Sequence, residues 1–361
     1  MIIILIIVLF SIWGMMWFWW RWHWQDGLFV TVTFSTKRIF QGEKLVLTQH
    51  IYNHKRLPLH FVQVMLPVPR TFRLVVGQGD GDYLGNLNQV YSLNGYENRE
   101  RTLNVQMAKR GIYTLSEIEL ESRELVTGQV QQHKYPIQQE IIVYPHWLDV
   151  NPIQQHWESS LGETLTRFSL FEDPLLFRGV REMQPQDALK QVNWKKTATT
   201  GTFYVNQYEP VSQRQLTLVL ALPDEASWRT EKYAEATISL FATIAHECLA
   251  AGWQLKVLSN ACNRQGEPFM MTQLTSMAVV LDACAAIDLE QTTNSESLFT
   301  NLLASSEQHV VVCASAAARQ LPFLPQLQAA LGDQLLWLNM VDHFRADTTT
   351  LATAVKEVLL P

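Results

Sequence analysis

An N-terminal membrane-spanning helix, an immunoglobulin-like β-sandwich and a doubly wound α/β domain are the architecture this sequence predicts. Three observations carry that expectation. Residues 1–20 contain no charged side chain, residues 28–144 alternate apolar and polar positions with period two, and from about residue 213 strand-like runs alternate with helical ones. The 361 residues are 47% hydrophobic and 17% charged. Chains of this length bury roughly three quarters of their unfolded surface and divide into two or three domains. A net charge of −6 disfavours a generic nucleic-acid binder with a basic footprint.

The first segment reads MIIILIIVLFSIWGMMWFWW and is followed by Arg21. Nineteen helical residues from Ile2 would cover about 28 Å, close to the ~30 Å hydrocarbon thickness of a bilayer. Trp13, Trp17, Trp19, Trp20, Trp22 and Trp24 crowd its end, as an interfacial aromatic belt would. A cleaved signal peptide would need a basic n-region and a small-residue cleavage site, and neither is present. Arg21, Lys37 and Arg38 follow the span. The positive-inside rule therefore predicts a single-pass cell-membrane protein, N-terminus outside and bulk in the cytoplasm. The anchor is assigned to residues 1–24.

Residues 25–150 are assigned to the sandwich. The runs FVTVTF (29–34), KLVLTQHIYN (44–53), HFVQVMLPV (60–68), RTLNVQM (101–107) and SEIELES (116–122) alternate as half-buried strands do. Gln41-Gly42, Asn53-His54, residues 78–81, Asn94-Gly95 and Arg110-Gly111 supply the turns. Many short strands of this kind suggest an immunoglobulin-like sandwich.

Residues 213–361 are assigned to the α/β domain. QLTLVLAL (215–222) is an almost unbroken apolar run, as in a strand buried on both faces of a parallel sheet. Tyr233, Thr237, Leu240, Phe241, Ile244, Cys248 and Ala251 then recur at helical spacing, with Gly252 placed to cap. Strands follow at 254–259, 309–314 and 334–340, with helices around 274–287, 297–304, 319–331 and 348–359. Alternation of this kind predicts a doubly wound sheet. These residues carry 8 Lys and Arg against 15 Asp and Glu, while the rest of the chain sums to +1. Cys248, Cys262, Cys284 and Cys313 form no CxxC pair, so zinc-ribbon and thioredoxin-type chemistry is unsupported and free buried thiols are expected.

The connecting segment, 151–212, contains the densest constellation. Arg181, Glu182, Pro185, Asp187, Lys190, Trp194 and Lys195 fall within fifteen residues. Pro185 suits the first turn of a helix and Asp187 suits its dipole. These residues serve either as an interaction motif or as a structural ion-pair and tryptophan-packing element. No nucleophile–base pair is visible, so no catalytic residue is assigned. An enzyme using this cluster, with Asp187 or Glu182 as general base, is the alternative reading. An exported adhesin-like module is the second.

The string REMQPQDALKQVNWKKTATTGTFYV (181–205) resembles the signature of domain-of-unknown-function family 58. KRGIY (109–113) and VYP (143–145) resemble two further family turns. Met183, Gln186, Lys190 and the turn ELVTG (124–128) depart from the family pattern, and the chain has room for one N-terminal span where most members carry two. The resemblance covers essentially the whole chain. It implies a von Willebrand factor A-like C-terminal domain in a membrane protein often encoded beside a MoxR-type AAA+ ATPase, with no established activity. Metal-competent A domains hold a divalent ion through D-x-S-x-S after the first strand, with hard oxygen ligands. Aligning the strands puts Ala221 at the aspartate position and Pro223 and Glu225 at the serine positions, with Asp224 and Ser227 at the wrong spacing. A degenerate metal site is therefore expected, with no cofactor.

Other motifs fail on their spacing. His246-Glu247 is followed by Ala250, so HExxH is incomplete. GQGDGDYLGN (77–86) places Leu84 and Tyr91 where an EF-hand needs oxygen ligands. Asp282 and Asp288 flank a helix as caps or solvated charges. The function expected is a membrane-anchored, non-enzymatic protein-interaction scaffold working with a MoxR-type ATPase in cell-envelope or assembly processes. Neither nucleic acid nor a small-molecule substrate is expected.

Overall fold

The computed structural model describes residues 2–69, 71–74, 86–123, 128–148, 172–184, 192–210, 215–224, 228–274, 276–305, 307, 309–315, 323–341 and 355–359. Contacts divide the chain into two units, Met1–His146 and Trp147–Pro361.

The first unit opens with helix α1 (Ile2–His23). Gly27, at φ 66°, turns the chain into the first strand. Two sheets then share one hydrophobic core. The first runs β1 (Leu28–Phe34), β3 (Lys44–Asn53), β7 (Asn98–Met107), β5 (Phe72–Leu74), antiparallel throughout. The second runs β2 (Arg38–Phe40), β9 (Val130–Tyr144), β8 (Gly111–Arg123), β4 (Leu59–Pro67), β6 (Asn86–Leu93), with β2 parallel to β9.

The alternation in the sequence becomes the burial pattern directly. Along β3, Leu45, Leu47, Gln49, Ile51 and Asn53 point inward, and Val62, Val64 and Leu66 of β4 do the same. The two polar residues among them are hydrogen-bonded, although Gln49 Nε2 is buried without a partner among the described residues. Tyr91 Oη donates to Gln49 Oε1 at 2.8 Å, and Asn53 Nδ2 donates to the carbonyls of Leu57 and Asn94, both at 2.9 Å.

Trp24 at the foot of α1 belongs to this core, while Ile4, Leu5, Phe10 and Met15 on the helix are exposed. Among the described residues, no helix is long and apolar enough to cross a membrane. This overturns the anchor over residues 1–24, the single-pass cell-membrane location and the orientation derived from it.

In the second unit, β10 (Glu172–Glu182) pairs antiparallel with β11 (Tyr204–Pro210), flanking the short helix α2 (Trp194–Thr200). The largest sheet has the order β15 (Met271–Leu274), β13 (Gln254–Ser259), β12 (Gln215–Ala221), β17 (Val310–Ser315), β18 (Leu335–Val341), β19 (Val355–Leu359). Its neighbours are parallel except β15, which is antiparallel to β13. Leu216 to Ala221 and all of β17 are buried, which explains why these strands read as unbroken apolar runs. Helix α3 (Trp228–Ala250) packs on this sheet. α5 (Ser295–Ala304) and α6 (Leu324–Leu331) join it through Leu298, Phe299 and Leu327.

The doubly wound α/β expectation is nevertheless corrected, and the von Willebrand factor A-like domain with it. The chain is mostly β, with nineteen strands against six helices among the described residues. Strand–helix alternation breaks after β13. The chain there forms β14 (Ala261–Asn263), turns at Gly266 (φ 79°), and returns as β15 with no helix between. After helix α4 (Met277–Ala286), residues expected to end a helix form β16 (Ile287–Thr292), which leaves the main sheet to pair with β14. The helix expected over 348–359 is also corrected: Val355–Leu359 is a strand, because backbone pairing with buried β18 outweighs local helical spacing.

Candidate functional site

Of the dense segment, Arg181 and Glu182 end β10 and lie opposite Val205 and Tyr204. Arg181 Nη1 donates to the Glu182 carbonyl at 3.1 Å. Pro185, Asp187 and Lys190 lie outside the described residues. Trp194 and Lys195 open α2. Asn193 starts that helix: its Oδ1 accepts from Lys196 N at 2.9 Å and its Nδ2 donates to Asn206 Oδ1 at 2.7 Å. Gly201, at φ 75°, ends it. Tyr204 N donates to Thr197 Oγ1 at 3.1 Å, fixing the helix to β11. Trp194 is not a packing wedge. It is 63% exposed and meets Phe203, itself 53% exposed, edge to face at 6.4 Å between centroids. Lys195 and Lys196 are also exposed.

A second constellation gathers where β12 and β13 end. Ala221 is fully buried and opposite Ala314, Pro223 is buried, and Glu225 and Ser227 lie outside the described residues. Asp224 Oδ1 accepts from Ser295 N and Oδ2 from Ser295 Oγ, both at 2.7 Å. Ser295 is the first residue of α5, whose cap Asn294 takes the next N–H, that of Glu296, at 2.9 Å. Asp224 and Asn294 thus satisfy two amides that a helix start leaves without intrahelical partners, and the acid sits where the dipole favours it.

Asn260, fully buried, ties the same strand ends together. Its Oδ1 accepts from Leu222 N and its Nδ2 donates to Leu222 O, both at 2.8 Å, and Thr293 N donates to its carbonyl at 2.7 Å. Spacing alone missed Asn260. Its position directly after a buried strand, at the carboxyl end of a parallel sheet, was the available signal. Among the described residues, no three His, Cys, Asp or Glu side chains converge as a metal cluster.

Farther down the sheet, Glu307 accepts from Thr217 Oγ1 at 2.6 Å and is ion-paired with Lys256. Burial raises the Glu307 carboxyl, but the hydrogen bonds from Lys256 and Thr217 and the Lys256 charge hold it below the ordinary carboxylate range. Burial pushes His309 below the usual imidazole value. Lys256 also lines an open groove of about 470 Å³ with Leu258, Met270, Met271, Gln273 and Val279.

No family model and no curated protein matches this chain. Among solved structures, the CARDB domain of a Pyrococcus furiosus protein, in complex with di-metal ions, is 15% identical over 33% of this chain and 94% of its own, with a TM-score of 0.20. The C-terminal domain of Wzt is 9% identical over 34% of this chain and 76% of its own, with a TM-score of 0.24. Pseudomonas fluorescens alkylpurine DNA glycosylase AlkC, bound to DNA containing an abasic-site analogue, is 12% identical over 32% of this chain and 30% of its own, with a TM-score of 0.20. At these scores the likenesses carry no argument about fold or activity.

Proposed function

We propose that the chain is a non-enzymatic protein-interaction scaffold that works with a MoxR-type AAA+ ATPase in assembly processes. The observation that carries the reading is the pair of hydrogen bonds that Asp224 accepts from Ser295. The acid nearest the expected cation position is committed to a helix start, so recognition at this end of the sheet relies on protein surface and not on a bound ion. The partner is drawn from the family resemblance of residues 181–205. Purified chain should form a complex with a MoxR-type AAA+ ATPase from the same organism, detected by size-exclusion chromatography with magnesium and ATP present. Separate elution at micromolar concentrations of both proteins would overturn the assignment of that partner.

A further inference from the structure

We infer that Trp194, Phe203, Lys195 and Lys196 form a docking surface for an acidic peptide segment of a partner protein, seated by an apolar side chain. The inference rests on the reading of the chain as an interaction protein, and names the surface and the partner's chemistry. Helix α2 buries none of its residues, yet its ends are fixed by Asn193, Thr197 and Gly201. Its exposed aromatic pair is therefore held in place without being used in a core. Tryptophan combines a large apolar body with a polar edge and is enriched in binding hot spots.

Charge selects the partner. WKKTATT contains no acid, and both lysines are exposed. A segment with carboxylates flanking an apolar residue complements that surface, its anions meeting the lysines and its side chain meeting the Trp194–Phe203 edge. Nucleic acid fits less well. The two rings stand at 80°, so they offer no shared plane for successive bases.

The test uses the full chain and a fluorescein-labelled synthetic peptide of Asp and Glu around one Phe, read by anisotropy at low salt. Saturable binding is expected. It should weaken about tenfold or more in Trp194→Ala and in the double variant Lys195→Glu/Lys196→Glu, the loss expected when a hot-spot residue is removed. Added salt should weaken it further, and the peptide with Ser in place of Phe should bind less. Unchanged melting temperatures would show that the variants fold. Equal binding by wild type and folded variants, or stronger competition by a single-stranded oligonucleotide than by unlabelled peptide, would overturn the inference. A complex with the ATPase that survives Trp194→Ala together with unaltered peptide binding would overturn this surface alone. Peptide binding that depends on Trp194, with no ATPase complex, would overturn only the choice of ATPase.

Discussion

Asp224 grips Ser295 twice, Oδ1 on the backbone amide and Oδ2 on the hydroxyl, both at 2.7 Å and across 71 residues of sequence. The pair closes the loop after β12 onto the start of α5. Removing the carboxylate strands a buried hydroxyl and a helix-start amide. Asp224→Ala should therefore cost about 1–3 kcal/mol, with Asp224→Asn losing less because it still offers one acceptor. Urea denaturation of the two variants checks both magnitude and order.

Asn260 fastens the same region from the other side. Asn260→Ala leaves Leu222 N and Leu222 O without their side-chain partner in a fully buried site. A loss of about 2 kcal/mol or more is expected, measured by the same denaturation. Hydrogen exchange at Leu222 and Thr293 should accelerate in that variant and stay slow elsewhere in β12.

Acid should unfold the second unit in two stages. His309 has a folded value below its unfolded one of ~6.5, so its contribution is present above that pH and is lost as pH falls through it. Glu307 is likewise depressed, and its contribution is present above the ordinary carboxylate range and lost as pH falls through the folded value. Melting temperature followed from pH 8 downward should fall first in the imidazole range and again in the carboxylate range. His309→Gln should flatten the upper limb. Glu307→Gln should flatten the lower one and cost about 1 kcal/mol at neutral pH.

The four cysteines are buried and form no disulfide. Burial, helped by the Glu247 charge, pushes the Cys248 thiol up to about 12, and burial with the neighbouring Cys248 raises Cys313 well above its usual value. Thiolate is the reactive form, so iodoacetamide at pH 8 should leave both unmodified in the folded chain and alkylate them in denaturant. Mass spectrometry of the two digests reads the difference.

Gly95 is constrained by space. A Cβ there would lie 2.2 Å from the Arg56 carbonyl oxygen, and next to it Tyr96 already sits at φ 60°. Because the obstructing atom is backbone, Gly95→Ala should destabilise the first unit by about 2 kcal/mol or more. Gly42→Ala, with nothing within 4 Å but φ at 88°, should cost about 1–2 kcal/mol. Thermal denaturation of both variants compares crowding with backbone strain.

Local pattern predicted the strands around Val30, Leu47 and Val64, since period-two burial is written into neighbouring residues. It also placed α3, whose apolar stripe from Thr237 to Cys248 is buried. It failed where backbone partners decide the outcome. Val355 to Leu359 have no local reason to prefer a strand, and only the parallel edge of β18 makes them one. Leu5 and Phe10 predicted a membrane span from hydropathy alone, which does not say that Trp24, at the foot of the helix, belongs to the core of the first unit. At the candidate site, the density of Arg181, Trp194 and Lys195 was plain, but the exposure of Trp194 was not. Tryptophan is usually buried, and nothing in its spacing separates a wedge from a surface. Asp224 was visible as an acid at the wrong spacing for an ion. That it holds Ser295 depends on the path of β13 to β16, which no short motif encodes.

Asp224 braces Ser295 through both carboxylate oxygens, and a carboxylate so engaged is not expected to bind a divalent cation as well. The most direct test of that expectation is the melting temperature of the full chain with millimolar magnesium or manganese against EDTA, for wild type and Asp224→Ala. A ligand that binds only the folded state at one hundred times its dissociation constant adds about 2.7 kcal/mol, which raises the melting temperature by a few degrees in a chain of this size. The same melting temperature is expected in metal and in EDTA for each protein, with Asp224→Ala lower in both. A rise of several degrees in wild type with either ion, abolished by Asp224→Ala, would contradict it.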